Sequence, residues 1–462
     1  VRDNELYFMR LELPTELSDL IRRGLLSEAR ELLRELIRGA EGDYRRRLEF
    51  ELDRLRRWAI QYPYTEMEAY EIASKKIRDL SPEEFRDLIS SGCVDHITLD
   101  GDLRIYERFL PNMMWLCPSL KDRSLEREDE RRIREKEELS KRAREVIESR
   151  AYPLIFRFRA EITLRALPRG ERLRVWLPVP RVSALHPEVR VISYSREPYI
   201  SDEMHPQRTA YFELTSGSDD TVWIEYEAVC VPRRPMEEIP DDLRELDGEP
   251  EARHREERIP HITFSEDLKH LVSSLTEGLD ALERARRIWD WVVENVRYTY
   301  VHDYALFDNI SEFAFTKRRG DCGVQAILLI TMLRLAGIPA RWQSGWYANP
   351  VDWGMHDWAQ FYLEPFGWVY ADPSFGHPTE DWRKDFYFGG IEGFRLSFNS
   401  EISYPFDPPK ESFRSDPVDS QVGEAEWDGG NIYYDMMDSK LHLLEVRRAD
   451  IRWINHSIST RF

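Results

Sequence analysis

The chain has 462 residues, with 66 Lys and Arg against 86 Asp and Glu, a formal net charge of −20. At roughly 150 residues per domain, the length predicts about three domains. A 42% hydrophobic content with 14 Trp, 21 Tyr and 21 Phe supplies real cores and excludes a wholly disordered chain. The acidic balance argues against a nucleic-acid partner, because that binding rests on a basic surface.

Four cysteines, Cys93, Cys117, Cys230 and Cys322, do not make a disulfide framework, and no C-x-x-C pair marks a zinc knuckle. Sparse thiols favour a reducing compartment. The most apolar stretch, 324–333, is interrupted by Gln325 and Thr331 and followed by Arg334, too short and polar for a membrane span. Residues 1–6 have no apolar signal-peptide core. A cytoplasmic location is the expectation; the non-Met start keeps a processed secreted form as the alternative.

Residues 1–121 are expected to form an all-helical domain. Leu25, Leu26, Ala29, Leu32, Leu33, Leu36 and Ile37 recur at helical spacing, and Ser81-Pro82-Glu83-Glu84 is a capping-box start. Residues 122–150 are charge-dense with acids and bases balanced, and acid-before-base pairs such as Glu138/Arg142 predict a solvated linking helix. From 154 the period changes to two. Leu154, Phe156, Phe158, Ala160, Ile162 and Leu164 alternate with mostly polar neighbours, and two further runs (Leu173 to Val179, Val222 to Ala228) do the same. These predict a β-sandwich over 151–235, followed by a charged linker at 236–262. A mixed core is expected over 263–400, and a C-terminal extension packing on that core over 401–462.

The core carries the candidate chemistry. Gly320-Asp321-Cys322 opens an apolar helix that stops at Gly337, with Pro339 beyond. Cys322 is thus predicted at a helix N-terminus, where backbone donors and the helix dipole lower a thiol pKa and can hold an oxyanion. A hairpin follows. His356-Asp357-Trp358 lies near one strand end, Glu364-Pro365-Phe366-Gly367 is the turn, and Asp372-Pro373 lies near the other end. Pairing about the turn centre would put Asp372 opposite Ala359, so a bulge or diagonal contact is needed to bring it to His356. A thiol, an imidazole and a carboxylate are the parts of a nucleophile, a base and its orienter.

Together these residues resemble the transglutaminase-like superfamily of papain-type folds. The resemblance rests on Cys322 after its Gly approach and on Leu335-Ala336-Gly337-Ile338-Pro339-Ala340-Arg341. It continues in His356-x-Trp358 with Tyr362, and in Gly367-Trp368 with Asp372-Pro373. It implies an α+β fold: a papain-like transglutaminase core, a preceding β-sandwich of the kind found in bacterial members, and the helical domain in front. It also implies a Cys322 nucleophile, a His356 base and an Asp372 orienter acting on a peptide or protein substrate. Asp357 stands where the family often has Ala and is placed to perturb the imidazole. Trp346, Trp358, Asp357 and Trp289 are the substrate or oxyanion candidates, with Trp291 and Tyr298 beside Trp289 for the oxyanion side chain.

The reaction expected first is hydrolysis of a peptide or amide bond through an acyl-enzyme. Glutamine crosslinking or deamidation is the alternative. A non-catalytic scaffold is the reading of a different class, with the helical domain as a candidate binder of a protein partner. No cofactor is expected. A metal site from Cys322, His356 and Asp372 lacks the clustered ligand spacing of zinc. Taken singly, Cys322 is as well explained as a buried small hydrophobe and Asp372-Pro373 as a turn.

Overall fold

The computed structural model describes residues 3–125, 129–165, 168–217, 220–377 and 381–449. The first region is built on helices Thr15–Arg22, Leu26–Gly39, Gly42–Gln61, Glu66–Ser74, Pro82–Ser90 and Phe109–Leu116. Leu26, Ala29 and Leu33 of the second bury against Leu48 and Leu55 of the third. Ser81 accepts from the Glu84 backbone N–H with Pro82 at the first helical position, which satisfies an otherwise orphaned donor.

Two features correct the expectation of an all-helical region with unpaired thiols. A hairpin, His96–Leu99 with Asp102–Ile105, stands among the helices. Its turn residues Asp100 and Gly101 both have positive φ, at 49° and 93°, the conformation a two-residue hairpin requires. Cys93 and Cys117 are joined as a disulfide, with their Cα atoms 6.0 Å apart.

The charged segment forms the helix Glu130–Ile147, but it is not wholly solvated. Leu139, Arg142, Ala143 and Val146 are buried, and Arg142 donates to the carbonyls of Glu392 and Tyr152. The expected linker, 236–262, likewise packs down. It contains the helix Asp241–Asp247, and Arg341 donates to the Asp247 carbonyl while His254 Nε2 lies 3.0 Å from Glu401.

The β-sandwich has two antiparallel sheets. One orders Gly430–Ile432, Glu424–Trp427, Arg172–Pro178, Thr209–Thr215 and Tyr199–Ile200; the other orders Met437–Arg448, Leu154–Leu164, Thr221–Cys230 and Val189–Tyr194. The inward set Phe156, Phe158, Ala160 and Ile162 is fully or almost fully buried, as strand alternation dictates. Three of these strands come from after residue 423. The C-terminal extension, expected to pack on the core, reaches it through Gln421 and also completes the sandwich; its portion from 450 to 462 lies outside the described residues.

The core sheet is antiparallel, in the order Phe388–Gly389, Gly367–Ala371, Trp353–Leu363, Ala340–Ala348 and Arg395–Asn399. One face buries the helix Cys322–Leu335 against Ala359, Phe361 and Leu363. The other face sets Trp346, Trp358, Tyr370 and Phe398 against the sandwich. The helix is buried from Cys322 to Arg334 and largely apolar because it is surrounded, which is the rule for a central helix. No helix among the described residues is long and apolar enough to cross a membrane.

Candidate active site

Cys322 is the first residue of its helix. Asp321 caps that helix, its side chain accepting from the Val324 N–H at 3.1 Å and from the Tyr304 hydroxyl at 2.7 Å. The short strand Arg319–Gly320 pairs in parallel with Arg297–Tyr298, which brings Tyr298 beside the approach to the cysteine. Cys322 is 9% exposed and lines a cleft of about 490 Å³ together with Tyr298, Tyr304, Asp321 and Asp357. The first region contributes Gln61, Tyr106 and Glu107 to the cleft wall, and the chain after 401 contributes Asp416, Gln421 and Tyr434.

Of the three expected residues the structure brings together two. His356 Nε2 lies 2.6 Å from Asp372 Oδ2. The hairpin register pairs Ala359 with Ala371. Asp372 therefore follows one residue beyond the ladder, on the Trp358 side, and reaches His356 diagonally; this corrects the expected pairing with Ala359. Arg395 Nη2 donates to the same Asp372 oxygen at 2.8 Å, Ser374 and Phe375 donate to the other oxygen, and Arg395 is in turn paired with Glu392.

The sulfur has a different partner. Successive side chains on a strand point to opposite faces. On the sandwich face His356 stacks on Trp358 and packs at a tilt against Phe375. Asp357 faces the helix, with its Oδ2 3.4 Å from Cys322 Sγ. No hydrogen bond joins Cys322 to His356 among the described residues. Gln421 Nε2 holds Asp357 from behind, donating to its Oδ1 at 2.8 Å and to the His356 and Gly345 carbonyls. Gly323 leaves room for this approach: a Cβ there would meet Asp357 Oδ2 at 2.7 Å and the Tyr304 hydroxyl at 2.1 Å.

The electrostatics of the two faces differ in sign. Burial alone would raise the Asp372 carboxyl, but His356 and Arg395 outweigh it and hold it well below the usual carboxylate range. With Asp372 ionised, His356 Nε2–H is the donor of their bond. Around Cys322 the shifts run upward. Burial, and then the Asp357 and Asp321 charges, push the thiol well above its ordinary value. This reverses the lowering expected from the helix N-terminus, because desolvation and two carboxylates outweigh the dipole. Burial, with Asp419 and Asp321 nearby, raises the Asp357 carboxyl, and burial raises Asp321 to about 6.

The remaining candidates separate cleanly. Trp289 is fully buried in the helix-side core, its Nε1 donating to the Lys384 carbonyl. Trp346 donates to the Gln421 carbonyl, and Trp358 is buried under His356. None of these three lines the cleft; Asp357 and Tyr298 do. His302 also reaches the cleft wall. The sequence reading missed Tyr304, Gln421, Arg395 and Glu392. No periodicity marks them: Tyr304, Gln421 and Arg395 act through contacts between separated segments, and Glu392 acts only through Arg395. No group of three or more His, Cys, Asp and Glu side chains suited to a metal ion occurs among the described residues.

An antiparallel sheet packed on a central helix that begins with a cysteine defines a papain-type α+β core. Residues 269–373 match the family model of the transglutaminase-like superfamily. A 134-residue stretch is 24% identical to the uncharacterized protein YebA of Bacillus subtilis (strain 168), covering 25% of this chain and 18% of YebA. The chain thus spans under a fifth of that relative. Among solved structures, a candidate cysteine protease from Cytophaga hutchinsonii aligns at TM-score 0.40 and 16% identity, over 65% of this chain and 92% of that one. The periplasmic domain of TgpA from Pseudomonas aeruginosa, bound to ethylmercury, aligns at TM-score 0.27 and 20% identity, over 50% and 94%.

Proposed function

We propose that this protein is a thiol acyl-transfer enzyme that hydrolyses amide or peptide bonds, with Cys322 as nucleophile. The observation that carries the reading is the placement of the Cys322 sulfur at the mouth of a central helix, on the wall of a cleft large enough for a peptide side chain. The sulfur attacks the carbonyl, the amine leaves, and water releases the acyl group. The ordered His356–Asp372 pair has the base-and-orienter chemistry that the family resemblance implies, but it stands on the opposite face of its strand from the sulfur.

That separation favours a second reading, a non-catalytic interaction module in which the thiol is kept neutral. Wild type and Cys322→Ala incubated with casein, and with a Gln peptide plus a fluorescent primary amine, distinguish the readings. Peptide fragments that vanish with Cys322→Ala support hydrolysis. Amine incorporation with ammonia release selects glutamine transfer. Neither product selects the module.

We further propose an oxidising compartment for the protein, in place of the cytoplasmic one, on the strength of the Cys93–Cys117 bond. Thiol titration in denaturant without reductant is expected to find two free thiols, Cys230 and Cys322; four would restore the cytoplasmic reading.

A further inference from the structure

We infer that the cleft selects a peptide carrying a cationic side chain, a guanidinium or an ammonium, beside the amide to be cut, and that the first region builds the selecting wall. The inference rests on the reading of this cleft as the substrate site and names what the site takes. Five acids face the cleft: Glu107, Asp303, Asp321, Asp357 and Asp416. Asp303 is already met by Arg57 at 2.8 Å. The other four have no ion-pair partner among the described residues, and Asp357 is only 4% exposed. Against them the cleft has one cation of its own, Arg108, while burial keeps His302 neutral.

The same walls carry the rings of Tyr106, Tyr298, Tyr300, Tyr304 and Tyr434. The chain itself shows what such a ring holds: the Arg108 guanidinium carbon lies 3.2 Å from the Tyr300 ring centroid. A cation leaving water gains from both kinds of wall at once, from the ring quadrupoles and from the carboxylates. An apolar side chain would leave the acids desolvated and unpaired, and an acidic one would add to their repulsion. The shortage of positive charge also shows in the acids themselves. Burial raises Asp321 to about 6, and burial with Asp419 and Asp321 raises Asp357. A small metal ion asks for a shell of oxygens, whereas a guanidinium or ammonium on an alkyl stem suits acids spaced among phenol rings. The net charge of −20 favours the approach of such a substrate from a distance.

Tyr106, Glu107 and Arg108 come from the first region, which is fastened to the core along the cleft. Asn112 accepts from the Tyr300 N–H at 2.7 Å and donates to the Tyr300 carbonyl at 2.9 Å. Gln61 accepts from the Asp303 N–H at 2.9 Å, and the Tyr106 hydroxyl donates to the Val301 carbonyl. Asp95 pairs with Arg319, two residues before the helix cap Asp321. These bonds join the region that supplies Glu107 to the segment that supplies Tyr300 and Asp303. The helical region is therefore part of the substrate site, and its acid and aromatic residues act as specificity determinants.

The test is isothermal calorimetry on the whole chain carrying Cys322→Ala, which forms no acyl-enzyme. The probes are the capped peptides acetyl-Ala-Ala-X-Ala-Ala-amide, in which X is Arg, norleucine or Glu. The Arg peptide is expected to bind at least about tenfold more tightly than the norleucine peptide, and the Glu peptide most weakly. Adding Glu107→Lys, at an exposed position, is expected to bring Arg to within about twofold of norleucine, and Asp416→Asn to weaken Arg by about threefold. Near-ultraviolet circular dichroism on each variant separates a lost preference from a lost fold. Equal affinity for Arg and norleucine, binding of none of the three peptides, or an Arg preference untouched by both substitutions would each overturn the inference. Wild type on casein, with the cut sites mapped by mass spectrometry, keeps this apart from the hydrolase reading. Cuts clustered beside Lys or Arg support both, and cuts without that clustering overturn the inference alone. An Arg preference in calorimetry with no cuts at all keeps the inference and removes hydrolysis.

Discussion

The two faces of the strand Trp353–Leu363 hold buried carboxylates in opposite circumstances. On the sandwich face Asp372 meets His356, Arg395 and two further donors, and Arg395 is balanced in turn by Glu392. On the helix face Asp357, Asp321, Asp416 and Asp419 have no ion-pair partner among the described residues. A compensated network keeps its charges and is locked in place; an uncompensated one holds its protons more tightly. Strand alternation alone separates the two by one residue.

The largest effect should come from breaking the compensated side. Arg395 is completely buried, so Arg395→Met leaves Asp372 and Glu392 without their cation and is expected to destabilise the protein by about 3–5 kcal/mol in urea unfolding. A loss below about 1 kcal/mol would mean that the network is dispensable.

Next is the reactivity of the thiol on the other side. Iodoacetamide is expected to label Cys322 at pH 7.5 at least about tenfold more slowly than free cysteine, accelerating only above the ordinary thiol range. Fast labelling at neutral pH would show a thiolate and erase the contrast between the faces.

Smaller still is a stability effect at Asp357. Its folded value lies above the unfolded value of about 3.9, so the folded state keeps a proton that the unfolded chain releases. Stability from this group is fully present below the unfolded value and is lost as pH rises through the folded one. Asp357→Asn should therefore be more stable than wild type by about 0.5–2 kcal/mol at pH 8, with the gap closing toward pH 4. A gap that widened on acidification would reverse the sign assigned to this face. Gln421→Ala, which frees Asp357 without removing it, is expected to change stability by about 1 kcal/mol in urea unfolding.

Much of this was open to reading in the sequence. The apolar run after Cys322 and the Gly337 and Pro339 stop signals located the central helix, and the period-two run from Leu154 located a sandwich strand. The hairpin register was missed by one residue because the turn holds three residues. Leu363 pairs with Gly367, whose φ of 76° suits the end of such a loop, and a four-residue turn reads equally well from Glu364-Pro365-Phe366-Gly367. The partner of the sulfur was legible in principle. His356 and Asp357 are adjacent, so only one can face the helix, and Ala359 and Phe361 share the face of Asp357. The completion of the sandwich by 424–448 was not legible, since pairing between strands so far apart leaves no local mark.

That late completion bears on how the chain is made. The strand Leu154–Leu164 stands between Thr221–Cys230 and Met437–Arg448. On a ribosome its outer edge waits uncovered while the whole core is translated, and an eleven-residue bare ladder invites pairing with a neighbouring nascent chain. Any product ending before residue 437 would keep that edge for good, so premature termination should yield aggregate rather than a shorter soluble protein.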